Sequence, residues 1–231
     1  MAKAHAGGCI GRIFSLAFRA ALYFVGISIL WVGAYRFVPP PTTATMIFDE
    51  KGATRDWRGL QDISPNLVRA VIAAEDSKFC QHDGFDREAI EQAIERNAKG
   101  GRIRGGSTIS QQTAKNAFLW QGGGYFRKAL EAWFTFLIEH LWGKPRIMEV
   151  YLNIAETGIG TYGAEAGAQR YYGKSASQLN RTEAARIAAA LPLPKQRSVK
   201  SPSGFTRRYG NSIAARINVV KRDGLDNCIY N

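Results

Sequence analysis

Cysteine is scarce in this chain: 231 residues hold three, Cys9, Cys80 and Cys228. None forms a Cys-x-x-Cys pair or a zinc-ligand spacing, which excludes a disulfide framework and a cysteine metal site. Cys80 and Cys228 could pair if both face an oxidising compartment. Acidic residues are few as well, 19 against 31 Lys and Arg, for a net charge of +12. Such a surface calls for an anionic partner: nucleic acid, an acidic membrane or a phosphorylated substrate. Charge alone does not choose among them. No Ser-x-x-Lys occurs, so the serine chemistry of penicillin-binding transpeptidases is missing. The length accommodates one globular domain and a short appendage, without room for a second enzyme domain.

One long apolar run is present. From Ile13 to Val38 the chain is apolar apart from Arg19 and Arg36, without a break from Ala20 to Tyr35. That approaches the roughly 20 residues needed to cross a bilayer, with Arg19 able to reach the headgroups and Trp31 and Tyr35 placed as interfacial aromatics. A cleaved signal peptide would have a shorter core and a small-residue cleavage site, whereas Pro39-Pro40-Pro41 follows here. The run therefore reads as an uncleaved anchor. Lys3, Arg12 and Arg19 precede it and Arg36 closely follows, so the positive-inside rule puts the N-terminus in the cytoplasm and the rest of the chain outside. The prolines with Thr42 to Thr45 read as a stiff linker.

Beyond the anchor the pattern is helical. Met46 to Trp57 is mixed, one strand or an extended arm. Ser64-Pro65 starts a helix whose stripe Val68, Val71, Ile72 has Glu75 in its next slot. A carboxylate there points toward the protein body, where lost hydration raises its pKa, as a general base requires; a buried structural Glu is the plainer alternative. Asp86 caps a helix from Arg87 to Lys99 with Ala89, Ile90, Ala93 and Ile94 inward and Gly100-Gly101 behind it. Gly105 to Gln112 combines glycines with Ser, Thr and Gln, either a ligand-binding turn or a plain helix start capped by Gly106-Ser107. Phe118 to Phe126 places large apolar groups around Gly122-Gly123-Gly124, a surface that dips into lipid or a loop folded over the core. A helix over Phe126 to Trp142 follows, with Glu131 one turn after Arg127 and Lys128. In the helix opened by Pro145, Glu149 and Asn153 share a face and read as structural support. Gly158 to Gly163 matches Gly-x-Gly-x-x-Gly without the strand and helix alternation of a dinucleotide fold, and is expected to be a helix-to-helix loop. Asn180 with Glu183 caps an Ala-rich helix ended by Pro192. Lys195 to Lys200 is a basic loop, and Phe205 to Arg222 a last helix. The expected fold is mostly α.

Four ordered motifs can then be named: Glu75-Asp76-x-x-Phe79-x-x-His82-x-Gly84; Gly105-Gly106-Ser107-Thr108-Ile109-Ser110-Gln111-Gln112 with Lys115-Asn116; Arg127-Lys128-x-x-Glu131; and Lys144-x-x-Ile147-x-Glu149-x-Tyr151-Leu152-Asn153. Together, over about Ile63 to Leu193, they resemble family 51 glycosyltransferases, and the anchor with one domain resembles the monofunctional biosynthetic peptidoglycan transglycosylases. The resemblance implies a lysozyme-like helical domain over 63–231, behind a tail (1–12), an anchor (13–38) and a linker with arm (39–62). It implies polymerisation of lipid II into β-1,4-linked glycan outside the inner membrane, with undecaprenyl pyrophosphate released. The catalytic residues would be Glu75 and Glu131, and the substrate-binding residues Asp76, Phe79, His82, Ser107, Thr108, Gln111, Gln112, Lys115, Asn116, Arg127 and Lys128.

No cofactor is required by the sequence; a divalent cation, Mg or Mn, at the pyrophosphate is one way for Glu131 to act, and orienting Arg127 and Lys128 is another. Expected partners are lipid II, the growing lipid-linked glycan, the membrane, and cell-wall synthesis or division proteins. Nucleic acid is not expected, because the basic residues are spread along the chain without a nucleic-acid motif. One departure stands out: many relatives carry Arg four residues before Arg127-Lys128, where this chain has Gly123. Two rivals remain at this point, a lytic glycosidase working on mature glycan and a non-enzymatic membrane-tethered scaffold.

Overall fold

A computed structural model describes residues 6–98 and 106–230. Gly105, and the expected stop at Gly100-Gly101, lie outside the described residues.

Helix α1 (Ala6–Phe37) contains the apolar run; its Gly11–Phe37 part has mean hydropathy 2.0 and is long and apolar enough to cross a membrane. Most of its large side chains are exposed. Near its end, however, α1 is docked rather than tethered. Val32 and Ser28 are buried against α6 (Gly124–Leu141). Trp142 Nε1 donates to the Val32 carbonyl at 2.8 Å, and Trp133 Nε1 to Ser28 Oγ at 3.0 Å. Trp31 meets Phe118 edge-on at 5.2 Å while Phe118 stacks on Phe134 at 4.7 Å, geometries that add to plain area burial. Arg146 spans the junction by donating to the carbonyls of Tyr35 and Val38.

The segment expected as linker and arm is folded onto the body instead of spacing it away. Thr43 caps α2 (Ala44–Ile47), and Arg55 donates to the carbonyls of Pro40 and Pro41. Strand β1 (Thr54–Arg55) pairs in parallel with β3 (Thr161–Tyr162), which pairs antiparallel with β2 (Glu156–Gly158). Gly158 to Gly163 is therefore a hairpin within a three-stranded sheet, not the helix-to-helix loop the sequence suggests. Two- and three-residue strands are too short for a period-two pattern to show. The last glycine has a packing reason: Gly163 sits at φ +86° with the Asn153 carbonyl 2.8 Å from where a Cβ would stand.

The remaining helices are α3 (Pro65–Glu75), α4 (Arg87–Ala98), α5 (Ile109–Phe118), α7 (Lys144–Ile154), α8 (Ala164–Tyr172), α9 (Arg181–Ala190), α10 (Gly204–Arg222) and α11 (Asn227–Tyr230). This is the mostly α fold expected. α3, α9 and α10 pack on one another, and α5 lies between α6 and α7. Small residues Ala184, Ala185, Ala188 and Ala189 let α9 lie close to both neighbours. In the Phe118 to Phe126 segment, Phe118 and Leu119 enter the core as a loop folded over it would, while Tyr125 is 96% and Phe126 70% exposed.

Cys80 and Cys228 are joined in a disulfide, with Cα atoms 5.4 Å apart. It ties the loop after α3 to the C-terminal segment, where Arg69 also bonds Asp226 at 2.7 Å. Sequence could not decide this pairing, because partners 148 residues apart meet only through the tertiary fold. Closing so long a loop restricts the unfolded chain by about 5 kcal/mol in the chain-entropy treatment. Cys80→Ser should therefore melt several degrees below the parent in the absence of reductant, and dithiothreitol should bring the parent down to match it. Identical melting curves in all conditions would show that the bond contributes nothing.

Candidate active site

Glu75 is the final residue of α3, not a mid-helix position. Ser64 caps the start of that helix through Asn66 N–H and anchors it by donating to the Leu179 carbonyl. Leu67, Val68, Val71 and Ile72 are buried on its inner face. The carboxylate is held on one side: Oε2 accepts from Gln112 Nε2 at 2.9 Å, while Oε1 is buried with no hydrogen-bond partner among the described residues. Burial pushes its pKa above the usual carboxylate range, against the Gln112 bond and the charges of Arg197 and Lys115 and with the help of Asp76. A desolvated carboxylate with one vacant acceptor can take a proton from an incoming hydroxyl.

The residues around Glu75 separate into those that face space and those that build the frame. Asp76 is a frame residue. It accepts from the backbone N–H of Ile109 at 3.0 Å, at the start of α5, and from His82 Nε2 at 3.0 Å. Gly84 N–H donates to His82 Nδ1, so Nε2 carries the hydrogen directed at Asp76. Thr108 and Gln111 form a reciprocal cap on α5, with Thr108 Oγ1 also donating to the Gly84 carbonyl at 2.7 Å. Gly106-Ser107 is thus not the cap. Phe79 is fully buried, beneath the Lys144 ammonium 4.6 Å from its ring centre. Of the residues expected to bind substrate, Phe79 and Gln111 are therefore packed inside, His82 bonds to the frame, and Asp76 and Thr108, though bonded within the frame, also border the cleft beside Glu75.

Ser107 does face space, in a cleft of about 180 Å³ that Glu75, Asp76 and Gly106 also line. On the other side of Gln112 lies a cavity of about 300 Å³ lined by Gln112, Lys115, Asn116, Tyr151, Glu156 and Lys195 among others. Gln112 thus has one end on the carboxylate and its flank in the larger space. Burial lowers the pKa of Lys115, opposed by Glu131 and Glu75 and reinforced by Arg127 and Lys128. Its ammonium therefore stands in the field of both acids.

Glu131 is 2% exposed and lines neither space. Arg127 Nη1 bonds one of its oxygens at 2.6 Å and Lys128 Nζ the other. Lys128 also donates to Ser107 Oγ at 3.2 Å, which carries the contact back to the cleft of Glu75. The two acids share a charged neighbourhood but not a surface: Glu75 meets the cleft itself, and Glu131 meets it through its cations. A carboxylate saturated by two cationic side chains is a poor donor set for Mg or Mn, and among the described residues no three His, Cys, Asp or Glu side chains gather to ligate a metal.

Asn153 exchanges hydrogen bonds with the backbone of Arg58 at 2.8 Å in both directions, and Glu149 bonds Arg146 and Leu60 N–H. The arm before α3 is fixed this way. Sequence reasoning missed Arg197, Tyr209 and Lys195. Each lies far along the chain from Glu75, and a basic loop followed by an amphipathic helix gave no sign that Arg197 and Tyr209 act beside Glu75 while Lys195 lines the larger cavity.

Gly123, where the family resemblance leads one to expect Arg, adopts φ +79°, and a Cβ there would stand 2.9 Å from Arg127 Cβ and 3.0 Å from Trp120 Nε1. A left-handed residue with that crowding costs about 1–2 kcal/mol. Gly123→Arg should consequently lower the melting temperature and disturb Arg127, reducing glycan polymerisation instead of adding a useful cation. A stable, more active variant would contradict this geometry.

A family model for transglycosylases matches residues 42–220. Among curated proteins the chain is similar to the biosynthetic peptidoglycan transglycosylase of Caulobacter vibrioides, 51% identical over 214 residues, covering 90% of this chain and 93% of that one. The protein of the same description from Rhodospirillum centenum is 48% identical, covering 91% and 94% of the two chains, and that from Pseudomonas aeruginosa 46%, covering 85% and 88%. Matched by the family model over most of its length and by relatives near half identical, the chain belongs to the transglycosylase family, whose domain has the lysozyme-like helical fold.

Proposed function

We propose that Glu75 is the general base by which this peptidoglycan glycosyltransferase polymerises lipid II. The observation that carries the assignment is Glu75 Oε1, buried, unpartnered and bordering the cleft. Glu75 takes the proton of the acceptor's sugar 4-hydroxyl as that oxygen attacks the anomeric carbon of the lipid-bound donor. The C–O bond to the pyrophosphate breaks, its electron pair leaves with undecaprenyl pyrophosphate, and the centre inverts to a β-1,4 link. The leaving group departs as an anion, so it needs positive charge and hydrogen bonds more than a proton. Lys115, Arg127 and Lys128 supply the charge, Ser107 and Asn116 supply neutral groups, and Glu131 orients the two cations bound to it.

A lytic glycosidase needs a second free carboxylate across the scissile bond. Of the other carboxylates lining the cleft, Asp76 is committed to Ile109 N–H and His82, and Asp86 accepts from Ala89 N–H at the start of α4. α1 serves as a single-pass anchor with the N-terminus cytoplasmic and the catalytic body outside the inner membrane. The Cys80–Cys228 bond supports this, since disulfides persist in oxidising compartments. Exposed Ile47, Phe48, Trp120, Tyr125 and Phe126 supply apolar surface for the lipid interface.

Glu75→Gln should abolish polymerisation of purified lipid II while leaving the circular dichroism spectrum unchanged. Substantial residual turnover would reject Glu75 as the base. The same variant carries a stability signature. Because the folded-state pKa of Glu75 is raised, its favourable contribution is complete below the unfolded pKa and is lost as pH rises through the folded value. Glu75→Gln should accordingly melt higher than the parent at pH 8, with the gain shrinking to nothing near pH 4. A pH-independent difference would show that the carboxylate is not held against its ionisation.

A further inference from the structure

A helix end is a loose mounting for a base, and the groups that steady Glu75 come from several elements. α5 contributes Gln112 and Lys115, and α7 the fully buried Tyr151, whose hydroxyl pKa burial drives well above normal. α10 contributes Tyr209, which donates to the carbonyl of Ala74 at 2.8 Å and so fixes the residue before Glu75. The loop between α9 and α10 contributes Arg197. Its guanidinium lies 5.3 Å from the Phe205 ring centre and 5.8 Å from that of Tyr209, and Nη1 donates to the Ala189 carbonyl, near the end of α9, at 2.7 Å. Two rings and a carbonyl fix the direction of this cation. Among the described residues no carboxylate stands within ion-pair distance of it.

We propose that Arg197 is a positioning residue for Glu75: held by Phe205, Tyr209 and Ala189, it supplies the fixed positive charge that lets a buried carboxylate wait as the anion, while Tyr209 secures the backbone carrying it. The inference rests on Glu75 being the base. Three charged groups act on Glu75: Arg197 and Lys115 favour its ionised form, and Asp76, one residue on, opposes it. Lys115 stands in the field of Glu131, Arg127 and Lys128 and serves the departing diphosphate. Arg197 lies outside that cluster, so its effect on Glu75 persists through turnover. α10, which carries Tyr209, packs on both α3 and α9 beside the site.

The test is the pH profile of lipid II polymerisation by the full chain. Arg197→Gln leaves burial and Asp76 less opposed, so Glu75 holds its proton to higher pH. The acidic limb of kcat/KM should move up by about half to one pH unit, with several-fold lower activity on the acid side and a plateau near that of the parent at high pH. Arg197→Lys should return the limb to its original position. Arg197→Met, which keeps an unbranched stem beside the rings, replaces the Gln variant should that one unfold. A uniform loss at every pH, or a limb that stays put, would overturn the proposal. Glu75→Gln in the same assay separates the two claims: if it stays active the base assignment fails, and if it is dead while the limb is unmoved only the role of Arg197 fails.

Discussion

One carboxylate kept from water organises this molecule. An ionised group in a poorly hydrated place is costly, and the cost grows when one of its oxygens has no donor. Glu75 is in that condition at the end of α3. The surrounding frame makes the arrangement persist: Gln112 holds one oxygen, Tyr209 holds the preceding carbonyl, and Asp76 turns away to seal the start of α5. Had Asp76 been free, two adjacent carboxylates would compete for one proton and neither would be a dependable base.

A second constraint follows from the substrate. A diphosphate leaving group asks for several cations close together, and cations close together repel unless an acid lies behind them. Glu131 is that acid, bonded to Arg127 and Lys128 and withdrawn from the cleft. Lys115 completes the set from the neighbouring helix, its pKa lowered by burial and by its cationic neighbours and held up by Glu131. The apolar helix α1 belongs to the same arrangement. Because α1 is bonded to α6 through Trp133 and Trp142, the helix bearing Arg127, Lys128 and Glu131 is fixed relative to it.

Much of this was legible in the sequence, for physical reasons that differ by element. Helices α3, α6, α7 and α10 showed through apolar stripes and cap residues, and α1 through a run of apolar side chains that needs no partner to be recognised. The position of Glu75 on a buried stripe showed, but the stripe alone suited a structural Glu as well, and only the downstream motifs singled it out. The hairpin at Gly158 to Gly163 did not show, since its strands are shorter than any period, and the Cys80–Cys228 bond did not, since it depends on where the chain returns. Motif membership also hid a division of labour. Phe79, Thr108 and Gln111 occupy motif positions beside Glu75, yet their contacts are internal: a core, a cap and a cap partner. Local sequence reports which side chains are near the site but not which way they face.

The central claim is that Glu75 sits dry enough to hold its proton above the ordinary carboxylate range. Isotope-edited infrared titration of the carboxyl group, taken as the difference between the parent and its Glu75→Gln variant in lipid bilayers, reads this directly. The account expects the ionised band of Glu75 to appear at distinctly higher pH than that of a solvated glutamate. A titration coinciding with the solvated value would contradict it.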